Sequence, residues 1–169
     1  TGSGVATTRY TTNGSTPTNA SPQGTAVNLT ADGIYTIKYF SVDNVSNNES
    51  VKTAGTQIRI DKTPPTAQVS LSPPANAAGW NNTPVDLPFT TADDLSGVQS
   101  SDPVNPLQFT SEGANQTQDV TVTDNAGNSA TFTSPAVNID FTAPHDVVSL
   151  DIDSEANPLF RSATVSAPT

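Results

Sequence analysis

Apolar and polar residues alternate along this chain in short runs, and nowhere do apolar positions recur at helical spacing over three turns. Neighbouring side chains of a strand point to opposite faces, so alternation predicts strands half-covered by a core. Ile34 to Val42 is the longest such run, bounded by Asp32-Gly33 and by a turn at Asp43-Asn44. Val51 to Asp61 predicts the next strand, with Ile58 and Ile60 on one face. Later in the chain, Asp119 to Thr123 and Ala130 to Asp140 play the same two parts. Ahead of them, Thr66 to Leu71, Val85 to Thr90 and Pro106 to Thr110 predict three more strands. The pattern is all-β.

The pattern also repeats. Val42-Asp43-Asn44-Val45-Ser46-Asn47 returns as Thr123-Asp124-Asn125-Ala126-Gly127-Asn128. Asp61-Lys62-Thr63-Pro64-Pro65-Thr66 returns as Asp140-Phe141-Thr142-Ala143-Pro144-His145, and Val69-Ser70-Leu71 as Val148-Ser149-Leu150. The echoes fall about 80 residues apart, a fitting length for one small two-sheet module. Proline fixes φ and restricts the residue before it, so the segments at 62–66 and 141–144 predict short, semi-rigid joints.

These markers resemble the tandem immunoglobulin-like repeats of bacterial and archaeal surface proteins. The resemblance rests on Gly79 to Val85, on Thr91-Ala92-Asp93-Asp94-Leu95-Ser96-Gly97-Val98 and on Asp124 to Asn128. Tyr10 to Thr18 is similar to the Tyr-Thr-Thr-Asp-Gly-Ser-x-Pro-Thr signature of the immunoglobulin-like module appended to chitobiases and other secreted glycosidases, with Asn13 in place of the usual Asp. The joint at Asp61 to Pro65 resembles those of surface-array repeats. The resemblance implies tandem immunoglobulin-like β-sandwiches in an extracellular or cell-surface setting, used as spacer, stalk or adhesive shaft.

Aligning the repeats sets the expected units. Ser3-Gly4-Val5 matches Ser96-Gly97-Val98, so residues 1–62 form a module without its first two strands, and 63–141 form a complete one. Residues 142–169 then carry the first two strands of a further module, at Val147 to Ile152 and Ala163 to Ala167. The stretch is read either as a window of a longer array or as strands that complete the open module of another copy, through Val147, Val148, Leu150, Ile152 and Val165. Strand addition to an open edge is a recurrent recognition mode, and a head-to-tail contact that does not close makes a filament.

Composition narrows the chemistry. Six basic residues stand against sixteen acidic ones, a formal charge of −10. Phosphate binding needs a basic patch, so nucleic acid is excluded as an expected partner. The chain has no cysteine and therefore no disulfide. No run is long and apolar enough to span a bilayer, and no signal peptide is visible. Expected partners are neighbouring copies or repeats of the same protein, with a polysaccharide or a host or cell surface beyond them.

Catalysis is not expected. The single histidine, His145, sits beside Pro144 in a joint, and no Gly-x-Ser-x-Gly, His-Glu-x-x-His or phosphate-loop pattern is present. Asp93, Asp94, Asp124 and Asn128 are the candidate metal ligands, for calcium, because the loops bearing them share one pole of such a sandwich and calcium takes six or more oxygens. The competing reading is turn chemistry, in which Asp and Asn bond their own backbone and Gly127 supplies a positive φ. Apart from calcium no cofactor is expected. Asp151, Asp153 and Glu155 read as a charged strand edge that discourages pairing. Trp80 reads as a lid over the core, with a sugar platform as the alternative. Asn13, Asn19, Asn28, Asn44, Asn48, Asn81 and Asn115 precede x-Ser/Thr and are candidate glycosylation sites. The expected role is a structural or adhesive unit of a surface shaft or filament, the alternative a carbohydrate-binding accessory module of a secreted glycosidase.

Overall fold

The computed structural model describes residues 2–70 and 74–144. Among these the fold is all-β, an immunoglobulin-like β-sandwich architecture of antiparallel strands, with no helix. The N-terminal unit carries β1 (Val5–Thr11), β2 (Gly33–Tyr35), β3 (Lys38–Asp43), β4 (Lys52–Thr53) and β5 (Ile58–Ile60). Its strands form one sheet in the order β1-β3-β4 and a second ladder of β2 with β5.

The second unit begins with β6 (Thr66–Val69), β7 (Val85–Leu87) and β8 (Phe89–Ala92). It continues through β9 (Val98–Asp102), β10 (Leu107–Phe109), β11 (Gly113–Gln116), β12 (Asp119–Asp124), β13 (Ser129–Thr133) and β14 (Val137–Ile139). One face is the sheet β13-β12-β9. On the other, β7 and β8 flank Pro88, so an interrupted strand pairs with β10 before the proline and with β6 after it. β11 pairs with β14. Proline cannot donate to a ladder. The Pro88 carbonyl still accepts the Ser70 N–H at 2.8 Å, which ties β6 to the break.

The core lies between those faces. Val85, Leu87, Phe89, Leu107, Phe109, Val120, Val122, Val137 and Ile139 are buried and in mutual contact, each at an inward position of its strand. The alternation in β7, β10, β12 and β14 is therefore the cause of the sandwich.

The two units correspond strand for strand over part of their length. β1, β3 and β4 are arranged as β9, β12 and β13 are, and β2 with β5 as β11 with β14. Gly33 and Gly113 open equivalent strands with φ of 152° and 158°. Among the described residues, β6, β7 and β8 have no counterpart in the N-terminal unit. Val27 to Leu29, aligned with β10, has no ladder partner among the described residues, and Ile34, Val51 and Ile58 are 40–49 % exposed. Phe40 is the only buried hydrophobic residue of that unit's strands.

Several expected strands are shorter than the alternation implied. Ile34 to Val42 is two strands, because the chain changes partners at Thr36, which bridges Asn13, before β3 joins β1. Val51 to Asp61 divides between β4 and β5, with Gly55 in the gap, and Ala130 to Asp140 divides at Ser134-Pro135. Trp80, expected as a lid, is 37 % exposed and lines a cleft with Pro74, Asn76 and Asp140. His145, the strand-complementation residues Val147, Val148, Leu150, Ile152 and Val165, and Asp151, Asp153 and Glu155 lie outside the described residues.

Candidate functional site at the joint between the two units

Two tight loops build one pole of the second unit. In the β12–β13 turn, Asp124 Oδ1 accepts the Ala126 N–H at 2.9 Å and the Asn128 N–H at 2.8 Å, and Oδ2 accepts Asn128 Nδ2 at 2.8 Å. Gly127 takes φ of 94° to close it. In the β8–β9 turn, Asp93 Oδ1 gathers the N–H groups of Leu95, Ser96 and Gly97 at 2.7–3.2 Å. Asn125 ties the loops together, its N–H donating to the Gly97 carbonyl and its Nδ2 to the Ser96 carbonyl, each at 2.9 Å. Short carboxylates that bond their own backbone favour such turns.

The joint from the N-terminal unit seats on this pole. Asp61 Oδ2 accepts the Ser96 N–H at 2.9 Å, and the Asp61 carbonyl accepts Asn128 Nδ2 at 3.2 Å. Asp61 Oδ1 also holds the Thr63 N–H at 3.1 Å, which fixes the entry of the chain into Pro64-Pro65. From the N-terminal unit, Asp32 grips the same segment by accepting the Lys62 N–H at 3.1 Å and the Thr63 hydroxyl at 2.7 Å. Pro65 is buried. Beside the seat, Ile34, Ile60, Leu95 and Ala126 line a cleft of about 270 Å³.

This convergence brings one oxygen each from Asp61, Asp93 and Asp124 within 4.8 Å of one another. Asp124 is completely buried, and Asp61 and Asp93 are half-buried. Burial pushes the Asp124 carboxyl up, but the side-chain and backbone bonds from Asn128, with the N–H bonds of Ala126 and Gly127, outweigh it and hold the group below the usual carboxylate range. Among the described residues no Lys or Arg nitrogen pairs with these three, since the ion pair found there is Lys52 with Glu49. Of the metal ligands expected from sequence, Asp93 and Asp124 join the cluster, whereas Asn128 turns its amide nitrogen toward it. Asp94 is exposed and lines a cleft with Asp32, Thr63 and Asp93. Asp61 was absent from the expected set. The echo of Asp61 in Asp140 marked it as a joint residue, but nothing in the spacing placed it over the other module's turns.

The same pole exists a second time. In the N-terminal unit Asp43 Oδ1 accepts the Val45 and Asn47 N–H groups at 3.0 and 2.8 Å, and Oδ2 accepts Asn47 Nδ2 at 3.0 Å. Ser46 stands at Gly127's place with φ of 70°. Asn44 donates its N–H to the Gly4 carbonyl at 3.1 Å and its Nδ2 to the Ser3 carbonyl at 2.6 Å. The Asn47 bonds hold the Asp43 carboxyl below its ordinary value as well, the backbone one foremost.

The candidate glycosylation residues divide by the state of the amide nitrogen. Asn44 and Asn81 use Nδ2 in bonds to the Ser3 and Asn138 carbonyls. Asn13, Asn19, Asn28, Asn48 and Asn115 are exposed. No helix among the described residues is long and apolar enough to cross a membrane.

Comparison with known proteins adds one likeness. No curated protein matches the chain. A family model described as "Fn3 associated" matches residues 1–55, covering β1 to β4 and the pole at Asp43.

Proposed function

We propose that the chain is a non-catalytic structural unit of an extracellular shaft or filament, in which modules are held end to end by a clasp at each joint. The observation that carries this reading is the seat of Asp61 on the Ser96 and Asn128 donors, on a pole that the chain builds twice. A joint gripped from both sides transmits orientation from one module to the next. The likeness of residues 1–55 to a module family supports an accessory or structural role.

The finer reading is head-to-tail assembly by strand complementation. Val27 to Leu29 has no ladder partner among the described residues at the place where β10 pairs with β7, and Ile34, Val51 and Ile58 are exposed beside it. An open edge beside uncovered apolar residues favours strand addition. Residues 147–167 are the donor in this reading, given to a neighbouring copy or repeat. Deleting residues 145–169 should abolish assembly in sedimentation and electron micrographs; unchanged assembly of the truncated chain contradicts it. Retention of the chain on chitin or cellulose favours the carbohydrate-binding alternative instead.

A calcium ion at the joint is the second reading, supported by the convergence of Asp61, Asp93 and Asp124 with no cationic side chain among the described residues to offset them. Calcium is a hard cation that takes carboxylate and carbonyl oxygens. A ligand bound only by the folded state stabilises it by about 2.7 kcal/mol at a hundredfold excess over its dissociation constant. Calcium should therefore raise the melting temperature, EDTA should reverse the rise, and Asp61→Ala should remove it. A melting curve indifferent to both additions contradicts this reading.

A further inference from the structure

The two units part ways after their first common strand. In the second unit β9 reaches β10 through residues 103–106, whereas residues 12–26 separate β1 from Val27 to Leu29, the stretch aligned with β10. Loops longer than about 12–15 residues are uncommon in compact units and are usually functional. This one is held along its length. The Gly14 N–H donates to the Thr36 carbonyl at 2.8 Å, Arg9 Nη1 to the Ser21 carbonyl at 2.9 Å, and the Gly24 N–H to the Thr8 carbonyl at 3.0 Å. Within it Pro17 is buried, and Phe40, which shares a cleft with Pro17, is only 4 % exposed, at the place of the outward-facing Thr121 in the second unit.

The facing wall departs from the second unit as well. Val42 pairs with Asn48 and Tyr39 with Lys52, so the returning strand carries one residue more than its partner between those points. In this bulge Glu49 Oε1 accepts the Ser41 N–H at 2.8 Å, and Lys52 pairs with Oε2. Bulges re-aim side chains and are over-represented beside functional sites. Between loop and bulge lies a cleft of about 310 Å³, with Pro17, Phe40 and Val51 as its apolar floor and Thr18, Asn19, Asn48 and Glu49 as its polar rim. Adjoining chain does not account for its being open. Tyr39 and Ser41 stand where the core residues Val120 and Val122 stand, so strands completing the sandwich would cover their face and not that of Phe40. At the joint that is seated, Ser129, at the place of Asn48, is still exposed.

We propose that this cleft is a binding site for an uncharged saccharide. A pyranose has an apolar face of C–H groups inside a rim of hydroxyls, and the cleft has the complementary arrangement. The ring lies on Pro17 and Val51, and its hydroxyls meet the Asn19 and Asn48 amides, each of which both donates and accepts. Ligand pockets run from about 300 to about 1,000 Å³, so this one is at the small end and takes a sugar residue or two. Lys52 offsets Glu49, which leaves the rim without a net charge to attract an ionic ligand. The cleft is apart from the joints, so the site goes beyond the end-to-end reading and stands or falls without it.

Titration of the ¹⁵N-labelled full chain, followed by its amide spectrum, tests the site, with glucose, galactose, mannose, N-acetylglucosamine and glucuronate as probes. The chain is used unglycosylated, because Asn19 and Asn48 head sequons and a glycan attached there would fill the cleft. The expected result is that at least one of the four uncharged sugars, at tens of millimolar, shifts the side-chain amides of Asn19 and Asn48 and the backbone amides of Thr18 and Val51, while glucuronate does not. Asn19→Ala and Asn48→Ala should each weaken binding about three- to tenfold, the worth of one hydrogen bond. Both side chains are exposed, so both variants should keep the wild-type melting curve, and Asn28→Ala, an exposed amide outside the cleft, should bind as the wild type does. No shift with any of the four sugars, shifts centred on other residues, or binding untouched by either variant overturns the site. Glucuronate shifting the same amides as strongly overturns the assignment to uncharged sugars. Assembly is read by sedimentation, so failure of the end-to-end reading and failure of this site are told apart.

Discussion

At the scale of single residues, the chain relies on aspartates that organise their own turns. Gly127 and Ser46 show the cost of closing such a turn, since both sit in the left-handed region, at φ of 94° and 70°. A Cβ added at Gly127 meets nothing within 4 Å, so Gly127→Ala isolates the backbone term. It should cost about 1–2 kcal/mol in urea denaturation, the ordinary penalty of a side chain in that conformation. An unchanged midpoint would show that the turn relaxes. Protonation probes the same turns. Asp43 and Asp124 are held below their ordinary value of 3.8 in the folded chain, so the unfolded chain takes up their protons first as the pH falls. Their stabilisation is fully present above the ordinary value and is lost as the pH drops through the depressed one. Between about pH 6 and about pH 2, the gap in stability separating the wild type from Asp124→Asn should stay constant at first and close only below the ordinary carboxylate range. A gap that closes above that range would mean that the bonds from Asn128 do not hold the carboxylate ionised.

At the scale of elements, alternation made the sandwich legible and left its corners obscure. Val85-Asp86-Leu87, Leu107-Gln108-Phe109 and Val120-Thr121-Val122 read directly as strands, and their odd positions are the core. Leu107 is fully buried between β7 and the opposite sheet, so Leu107→Ala should cost about 2–5 kcal/mol in chemical denaturation. A loss under about 1 kcal/mol would place it outside the core. Ile34 to Val42 misled because alternation reports which face is covered and is blind to which neighbour supplies the ladder. β1, β9 and β11 gave weak signals, since Thr7, Thr8, Gln99, Ser100 and Asn115 put polar residues where only partial cover is needed. The paired echoes at Asp43 and Asp124 were legible as turns, and their bonds bear that out. The joint cluster was half legible. Asp93 and Asp124 follow from two loops sharing a pole, but Asp61 arrives from the other unit through a contact that no local pattern encodes.

At the scale of the molecule, the question is whether the clasp makes two units behave as one. Asp61 contributes a carboxylate and a carbonyl to the second unit's pole, while Asp32 holds the following residues to the first. Proline at 64 and 65 limits the torsions that remain. Asp61→Ala removes the carboxylate from this arrangement and leaves both cores intact, so it should loosen the joint with little effect on the melting of the second unit. The most direct measurement is backbone ¹⁵N relaxation of the wild type and of this variant, read separately for β1–β5 and β6–β14 under conditions where the chain is monomeric. The account predicts one shared rotational correlation time in the wild type and two shorter, different ones in Asp61→Ala. Independent tumbling of the units in the wild type would contradict it.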